Sequence, residues 1–275
     1  MKILSWNVNG TFPPQGSTQQ IEEQTEWLAT LDELPDVLLL QEVNPNQQER
    51  WHESVLDVLG YADLVDTLQL ARDLDNSNGH LTAVSDGWHL SRTDVTGHTE
   101  DNVPPNEKEM EYPEKILVSE IEDATTGAAF ECWNIRAVPG GSYPEEKIKI
   151  LECAYDRIEA DGQKPRILAG DLNTPNRELP DGQVVTFGYE RSAALQRRAV
   201  SAELNILKGL GHFGMLDVFR SLHGYGSLDQ LDKSHDDRRI DHLFATEALD
   251  PIECWYSAAG AEYSDHAPLI ARFGV

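Results

Sequence analysis

Arg166-Ile167-Leu168-Ala169-Gly170-Asp171-Leu172-Asn173-Thr174-Pro175 is the segment on which the reading of this chain turns. Ile167 to Ala169 read as a short strand that runs into a glycine and then into two polar residues spaced i, i+2. In extended backbone such a pair points the same way, and Gly170 lets backbone or substrate approach closely. Asp171 is then placed to bind or orient an attacking water, and Asn173 to donate to a phosphoryl oxygen. A plain Asx turn ahead of Pro175 is the competing explanation.

The same arrangement, an apolar run ending in a polar island, recurs along the chain. It appears at Ser5-Trp6-Asn7, Leu40-Gln41-Glu42, Arg239-Ile240-Asp241-His242 and Ser264-Asp265-His266. Each run reads as a short strand, so the islands are expected in loops at strand ends. Glu42 follows Val37 to Leu40 and should emerge at the rim of the core, where a hard cation takes an oxygen ligand. Asn7 holds the same place on the first strand. His266 suits a general base if a carboxylate fixes its tautomer. Its neighbour Asp265 and the remote Asp241 compete for that task. Adjacent residues of an extended chain face opposite ways, so Asp241 is the better partner and Asp265 is left for a metal or a hydrogen-bonding network.

Asn134 and Arg136 share one face of the strand expected over 130–135, and a guanidinium fork matches a pair of phosphate oxygens. Asp217, Arg220 and His242 read as structural. His80, His89, His98, His212, His223 and His235 lack the ligand spacing of a zinc motif. Carboxylates, amides and one acid-flanked histidine are the groups that hydrolysis of a phosphate ester requires.

The rest of the pattern sets the architecture. Strands are expected over 2–8, 37–41, 81–85, 88–91, 115–121, 128–135, 166–169, 243–245 and 269–273. Helices are expected over 18–34, 46–59, 145–160 and 192–210, each with apolar residues on one face. Arg92 to Pro113 is acidic and weakly periodic and reads as a long surface loop or insertion. Helices between strands imply outer helical layers, and short alternating strands need a partner sheet. The fold class is therefore α/β, a four-layer α/β/β/α sandwich, taken as one domain over residues 1–275.

Composition narrows the partners. The 48 acidic and 22 basic residues leave a formal charge of -26, a field that repels polyanions at low salt. Either the substrate is small, or the protein works in molar salt, where the Debye length falls to roughly 3 Å. Acid scattered along the whole chain favours the second, halophilic reading. Cys132, Cys153 and Cys254 are odd in number and widely spaced, so no disulfide framework is implied. The chain opens without a signal sequence, and no apolar run approaches the roughly 20 residues of a membrane span, which suggests a cytoplasmic protein. No protein partner is expected, and a monomer is the default.

Together the islands resemble the endonuclease/exonuclease/phosphatase superfamily, which includes DNase I-like nucleases, exonuclease III-like repair enzymes, sphingomyelinases and inositol polyphosphate 5-phosphatases. The match begins at Leu4-Ser5-Trp6-Asn7-Val8-Asn9-Gly10 and continues through Leu40-Gln41-Glu42, Asn78 to Ser85 and Gly170-Asp171-Leu172-Asn173. It ends with Arg239-Ile240-Asp241 and Ser264-Asp265-His266. The resemblance implies two mixed, largely antiparallel sheets packed face to face, with helices outside. It also implies Mg²⁺ or Mn²⁺ at Asn7 and Glu42 with Asp265 nearby. Asp171 would act on the water, Asn173 on the phosphoryl group, and an Asp241–His266 pair on the second catalytic side. Whether Asp171 or His266 is the base stays open.

One departure stands out. Many members carry His where this chain has Arg136; arginine keeps a cationic donor but cannot transfer a proton, its pKa lying above about 12. The tryptophan-rich stretch usual before the Arg-x-Asp motif of exonuclease III-like enzymes is replaced by the acidic, polar segment 227–238, which argues against abasic-site repair. The leading expectation is a metal-dependent phosphodiesterase, with DNA the foremost substrate. The alternatives are a small-molecule or lipid-headgroup phosphoesterase, and an inactive scaffold of the same fold.

Overall fold

A computed structural model describes residues 1–10, 16–70, 78–95, 110–228 and 231–274. Its frame is two six-stranded sheets. The first holds β1 (Lys2–Asn7), β2 (Val37–Val43), β3 (Asp63–Asp66), β4 (Gly79–Val84), β13 (Pro251–Tyr256) and β14 (Leu269–Phe273), in the order β13-β14-β1-β2-β4-β3. The second holds β5 (Trp88–Val95), β6 (Ile116–Asp123), β7 (Ala129–Arg136), β8 (Arg166–Asp171), β11 (Met215–Asp217) and β12 (Asp241–Thr246), in the order β11-β12-β8-β7-β6-β5. The short strands β9 (Arg177–Glu178) and β10 (Val184–Val185) pair separately. Each large sheet has one parallel pair, β1 with β2 and β7 with β8, and the remaining pairs are antiparallel. A parallel pair needs a crossover, supplied by α1 (Thr18–Ala29) in the first sheet and α4 (Pro144–Asp161) in the second.

Alternate side chains of one strand enter different layers. Ile3, Val37, Leu39 and Val84 pack between the sheets against Ile121, Phe130, Cys132, Ile167, Ala169 and Leu243. Their neighbours Leu4, Trp6, Leu38 and Leu40 face outward onto Ile21, Trp27 and Leu28 of α1 and onto Trp51 and Val55. On the far side, Trp133, Ile135 and Leu168 pack on Ile148 and Leu151 of α4 and on Ile206 of α5 (Ala193–Leu207). Burial on both faces explains why Val37 to Leu40 is an unbroken apolar run rather than an alternation. Fully burying one such side chain contributes roughly 1.5–3 kcal/mol, whereas an exposed ion pair contributes at most about 1 kcal/mol. Packed layers, not surface charge pairs such as Arg50–Glu22, hold the sandwich.

Several boundaries differ from expectation for identifiable reasons. Helix α1 stops at Ala29, short of Leu34. The Thr30 hydroxyl donates to Trp27 O at 2.7 Å, and Asp32 and Glu33 would have put two negative charges at the helix's negative end. The segment expected as one helix over 46–59 divides into a 3₁₀ turn, α2 (Gln48–His52) and a π turn over Glu53–Val58. A four-residue helix α3 (Thr67–Leu70) and the short α6 (Val218–His223) also form. The loop expected from Arg92 does not begin there: Arg92 to Val95 continue β5 and pair with β6. The remainder of that expected loop, over 96–109, lies outside the described residues, and Met110 is buried against α4. Strands β3, β11 and β13 were not expected. All three are sheet edges, where only one side is paired and the apolar signal is thin.

Gly170 joins the fold to the site. Its φ is +139°, and a Cβ there would lie 1.9 Å from Ile135 O of the neighbouring strand. Gly170→Ala should therefore lower unfolding stability by roughly 2–4 kcal/mol, because the β7–β8 pairing must open. Gly127→Ala is the control: φ is +69° but the nearest atom is 3.9 Å away, and the expected cost is about 1 kcal/mol. Urea unfolding of both variants measures the difference.

Candidate active site

The topology brings the polar islands to one edge of the sandwich. β1, β2, β7 and β8 deliver Asn7, Glu42, Arg136 and Asp171 at or beside their carboxyl ends. β12 runs antiparallel to β8 with Asp241 opposite Asp171, so the amino end of β12 reaches the same edge. β14 pairs with β1 from Ser5↔Leu269 onward, which puts the preceding His266 beside Trp6 and Asn7. Trp6 Nε1 donates to His266 O at 2.9 Å and ties that approach down.

Asn7 is at the centre. Its Nδ2 lies 3.1 Å from Glu42 Oε1, 3.1 Å from Asp171 Oδ2 and 3.5 Å from His266 Nε2. Its Oδ1 accepts from the Asn9 N–H at 3.0 Å, which fixes how the amide is turned. Glu42 sits at φ +61° where the β2–β4 register shifts between Gln41 and Val43, a bulge that re-aims the carboxylate toward this edge. Arg136 Nη2 reaches Glu42 Oε1 at 2.5 Å, and its Nε is 3.7 Å from Asp171 Oδ2. That Nε is buried without a hydrogen-bond acceptor among the described residues. His266 Nδ1 is 2.7 Å from Asp241 Oδ2, which leaves Nε2 facing Asn7. Asn173, at φ +49°, donates its backbone N–H to Asp171 Oδ1 at 2.8 Å. Its side-chain amide donates to Asp171 Oδ2 at 2.9 Å and to Ala137 O at 2.8 Å.

Burial shapes the charges. Asp171 is pushed above the usual carboxylate range by burial and by the nearby Asp241, against the pull of His266 and Arg136. Burial acts against the imidazolium of His266, but Asp241 and Asp171 outweigh it and hold His266 above the usual histidine range. Asp241 is held low: its burial is overcome by His266 and by the Ser234 hydroxyl.

Two expected residues lie apart from this cluster. Asn134 is fully buried beneath it, accepting from Gln41 Nε2 at 2.8 Å and donating to Leu40 O at 3.1 Å and Leu81 O at 2.9 Å. Its observed contacts tie the two sheets together. Asp265 is exposed, and its Oδ2 faces His235 Nε2 at 3.7 Å. His235 itself escaped sequence reading: its ring centroid lies 4.6 Å from that of His266. Its position six residues before Asp241 was the available signal. Glu203 also escaped, because nothing in the segment expected to be helical over 192–210 sets it apart. Lys147 Nζ donates to Asn173 O at 2.8 Å and pairs with Glu203 at 3.2 Å.

Beneath Asp241 lies a buried ionic floor. Arg239 pairs with Glu178 at 2.6 Å and Asp217 at 2.5 Å, and Arg220 also bonds to Glu178. Burial alone would raise both carboxyls, but Arg239 outweighs it, holding Glu178 at about 2 and Asp217 far below the usual range.

The donor chemistry fits a hard divalent cation. Three buried carboxylates, Glu42, Asp171 and Asp241, face two cationic side chains, with the amide of Asn7 between them. Asp171, Asp241 and His266 each bring a ligand atom within 4.8 Å of the others.

Two stacked sheets end in one carboxylate-lined rim. The chain belongs to the Endonuclease/Exonuclease/phosphatase family, whose model matches residues 4–266. Solved structures agree in fold. D. rerio TDP2 humanized by 14 mutations aligns at 16% identity and TM-score 0.68, covering 100% of this chain and 99% of its own. D. rerio TDP2 complexed with a single-strand DNA product aligns at 16% identity and TM-score 0.64, with the same coverage. The 3'-5' exonuclease NExo of Neisseria meningitidis aligns at 19% identity and TM-score 0.59, covering 99% of each chain. No curated protein matches. Among the described residues no helix is long and apolar enough to cross a membrane.

The floor yields a test. Arg239→Ala removes the guanidinium that holds Asp217 and one of the two that hold Glu178, and should cost about 3–5 kcal/mol near neutral pH. Carboxyls held low in the folded state add stability above their unfolded pKa of about 4, and that stability is lost as pH falls through the depressed values. The gap between parent and variant should therefore shrink as pH is lowered from about 5 toward 2. Urea unfolding across that range measures it.

Proposed function

We propose that this protein hydrolyses phosphodiester bonds with a bound Mg²⁺ or Mn²⁺, and that DNA is its foremost substrate. The observation that carries the reading is the Asn7 amide, which gathers Glu42, Asp171 and His266 from separate strands around one point. Glu42 would hold the cation, and Asn7, whose Nδ2 faces Glu42 and Asp171, would orient the two carboxylates around it. The bound ion supplies Lewis-acid polarisation of the phosphoryl group and charge neutralisation of the leaving oxygen.

The chain's own groups divide the remaining work. Asp171, oriented by both donors of Asn173, takes the proton of the attacking water. His266, its tautomer set by Asp241, faces the phosphoryl group from the other side and exchanges protons with water or oxyanion. Arg136 donates to the phosphoryl oxygens, while Asn173 stays committed to Asp171 and Ala137 O, and Asn134 steadies the strand that presents Arg136. The unpartnered Nε of Arg136 is a donor still to be used, which suits this role.

DNA as substrate draws support from the solved D. rerio TDP2 structure with a DNA product and from the Neisseria meningitidis exonuclease. A charge of -26 opposes it at low salt, so the reading includes a cytoplasm rich in salt, where the acidic coat is screened. The same charge favours a small phosphodiester, including a lipid headgroup, if the working medium is dilute.

Plasmid DNA, an abasic duplex, RNA and small phosphodiesters should be compared with Mg²⁺ or Mn²⁺ in about 2–3 M KCl, where screening is strong. Asp171→Asn should lose roughly 10²–10⁴-fold in whichever hydrolysis is found, with an unchanged circular dichroism spectrum. Equal cleavage by parent and variant would falsify the assignment. The thermal midpoint of the parent should also rise as KCl is increased. Full stability in dilute buffer rules out the halophilic part.

A further inference from the structure

Beside the oxygen-lined end of the site is a second cluster of different chemistry. His235, Asp265 and His266 each offer a ligand atom, all within 4.8 Å of one another. His235 Nε2 is 3.7 Å from Asp265 Oδ2, and the two imidazole centroids are 4.6 Å apart at 48°. We infer that these three residues form a second cation site, selective for an imidazole-seeking ion such as Zn²⁺, whose occupation switches hydrolysis off by engaging His266. The inhibitory half rests on the catalytic reading of His266; the binding half does not.

Three observations support the site. First, each histidine has a carboxylate on its other nitrogen: Asp241 Oδ2 lies 2.7 Å from His266 Nδ1, and Asp236 Oδ2 lies 3.5 Å from His235 Nδ1. Histidines that ligate metals carry this kind of outer partner, which leaves Nε2 as the donor. Second, the backbone pre-arranges the rings. Residues Ser234 to Arg238 form a tight turn, with Arg238 N donating to His235 O at 3.0 Å. The turn is pinned to the approach of β14 by a His235↔His266 bridge and by Ala267 N donating to Ser234 O at 2.7 Å. Third, the spacing suits one ion. With bonds of about 2.0–2.2 Å, tetrahedral ligand atoms sit roughly 3.3–3.5 Å apart, within a small side-chain rotation of the 3.7 Å pair.

Selectivity follows from donor type. Two nitrogens and one carboxylate suit Zn²⁺ or Co²⁺, while Mg²⁺ prefers oxygen and dehydrates reluctantly, so it stays at the Glu42 end. His235 is half-buried and Asp265 exposed, which gives an ion a route from solvent and leaves a fourth position for water. An ion held by His266 Nε2 removes that nitrogen from its place opposite the phosphoryl group.

The probe is Co²⁺, titrated into the metal-stripped full chain and followed by its visible absorption, with Zn²⁺ as competitor. With excess Mg²⁺ filling the Glu42 end, the parent should bind one Co²⁺ with the strong band of low coordination. His235→Ala and Asp265→Asn should each weaken binding roughly 10-fold or more, with folding confirmed by circular dichroism. Equal affinity in the parent and both variants overturns the site. In the second arm, micromolar Zn²⁺ should slow the Mg²⁺-supported hydrolysis of the parent, and His235→Ala should resist, each protein measured against its own zinc-free rate. Co²⁺ binding without inhibition overturns the switch alone. A parent that hydrolyses nothing defeats the proposed function, while the Co²⁺ spectrum still decides the site.

Discussion

The candidate site depends on one amide. Asn7 ends a strand of the first sheet, and its Nδ2 meets a carboxylate from that sheet, Glu42, and one from the second, Asp171. Neither sheet could assemble this cluster alone, since each supplies an incomplete set of charges. The layer packing that brings Ile3 and Leu39 onto Ile167 and Ala169 is therefore also what sets the distance between carboxylates at the edge. Moving one sheet against the other would separate Asp171 from Glu42 before it opened the core.

Charge places a second constraint. The chain as a whole repels anions, yet at this edge the carboxylates are buried and interleaved with Arg136, His266 and, one layer down, Arg239. Buried like charges are tolerated only when each has a partner or a hydrogen bond, and each one here does. The acidic surface and the acidic site are thus separate features. The first is solvated and answers to salt; the second is held by specific donors and answers to what enters it.

Much of this was legible in the sequence because strand ends in a sandwich are marked by an abrupt change of polarity. Val37 to Leu40 could be read as a buried strand that delivers Glu42, and Ile167 to Ala169 as a strand that presents Gly170-Asp171, from the apolar runs alone. The family motifs then fixed which islands belong together. What stayed hidden was set by tertiary context. Edge strands such as Asp63–Asp66 bury too little to leave a pattern. The amide of Asn134 has the composition of a ligand but is spent between sheets, and nothing local says so. His235 sits in a turn whose approach to His266 is created by pairing with a segment thirty-odd residues away.

Arg136 shows how a departure from the family pattern is absorbed. A histidine at this position would carry a charge only part of the time, whereas the guanidinium is always cationic. In this site that permanence has a structural use: Arg136 spans Glu42 and Asp171, the two carboxylates contributed by different sheets, and so neutralises the seam between them. The exchange gives up a proton donor and gains a fixed electrostatic brace. On the proposed function, proton transfer would fall to the Asp241–His266 side and to Asp171, while the opposite wall would work through charge alone.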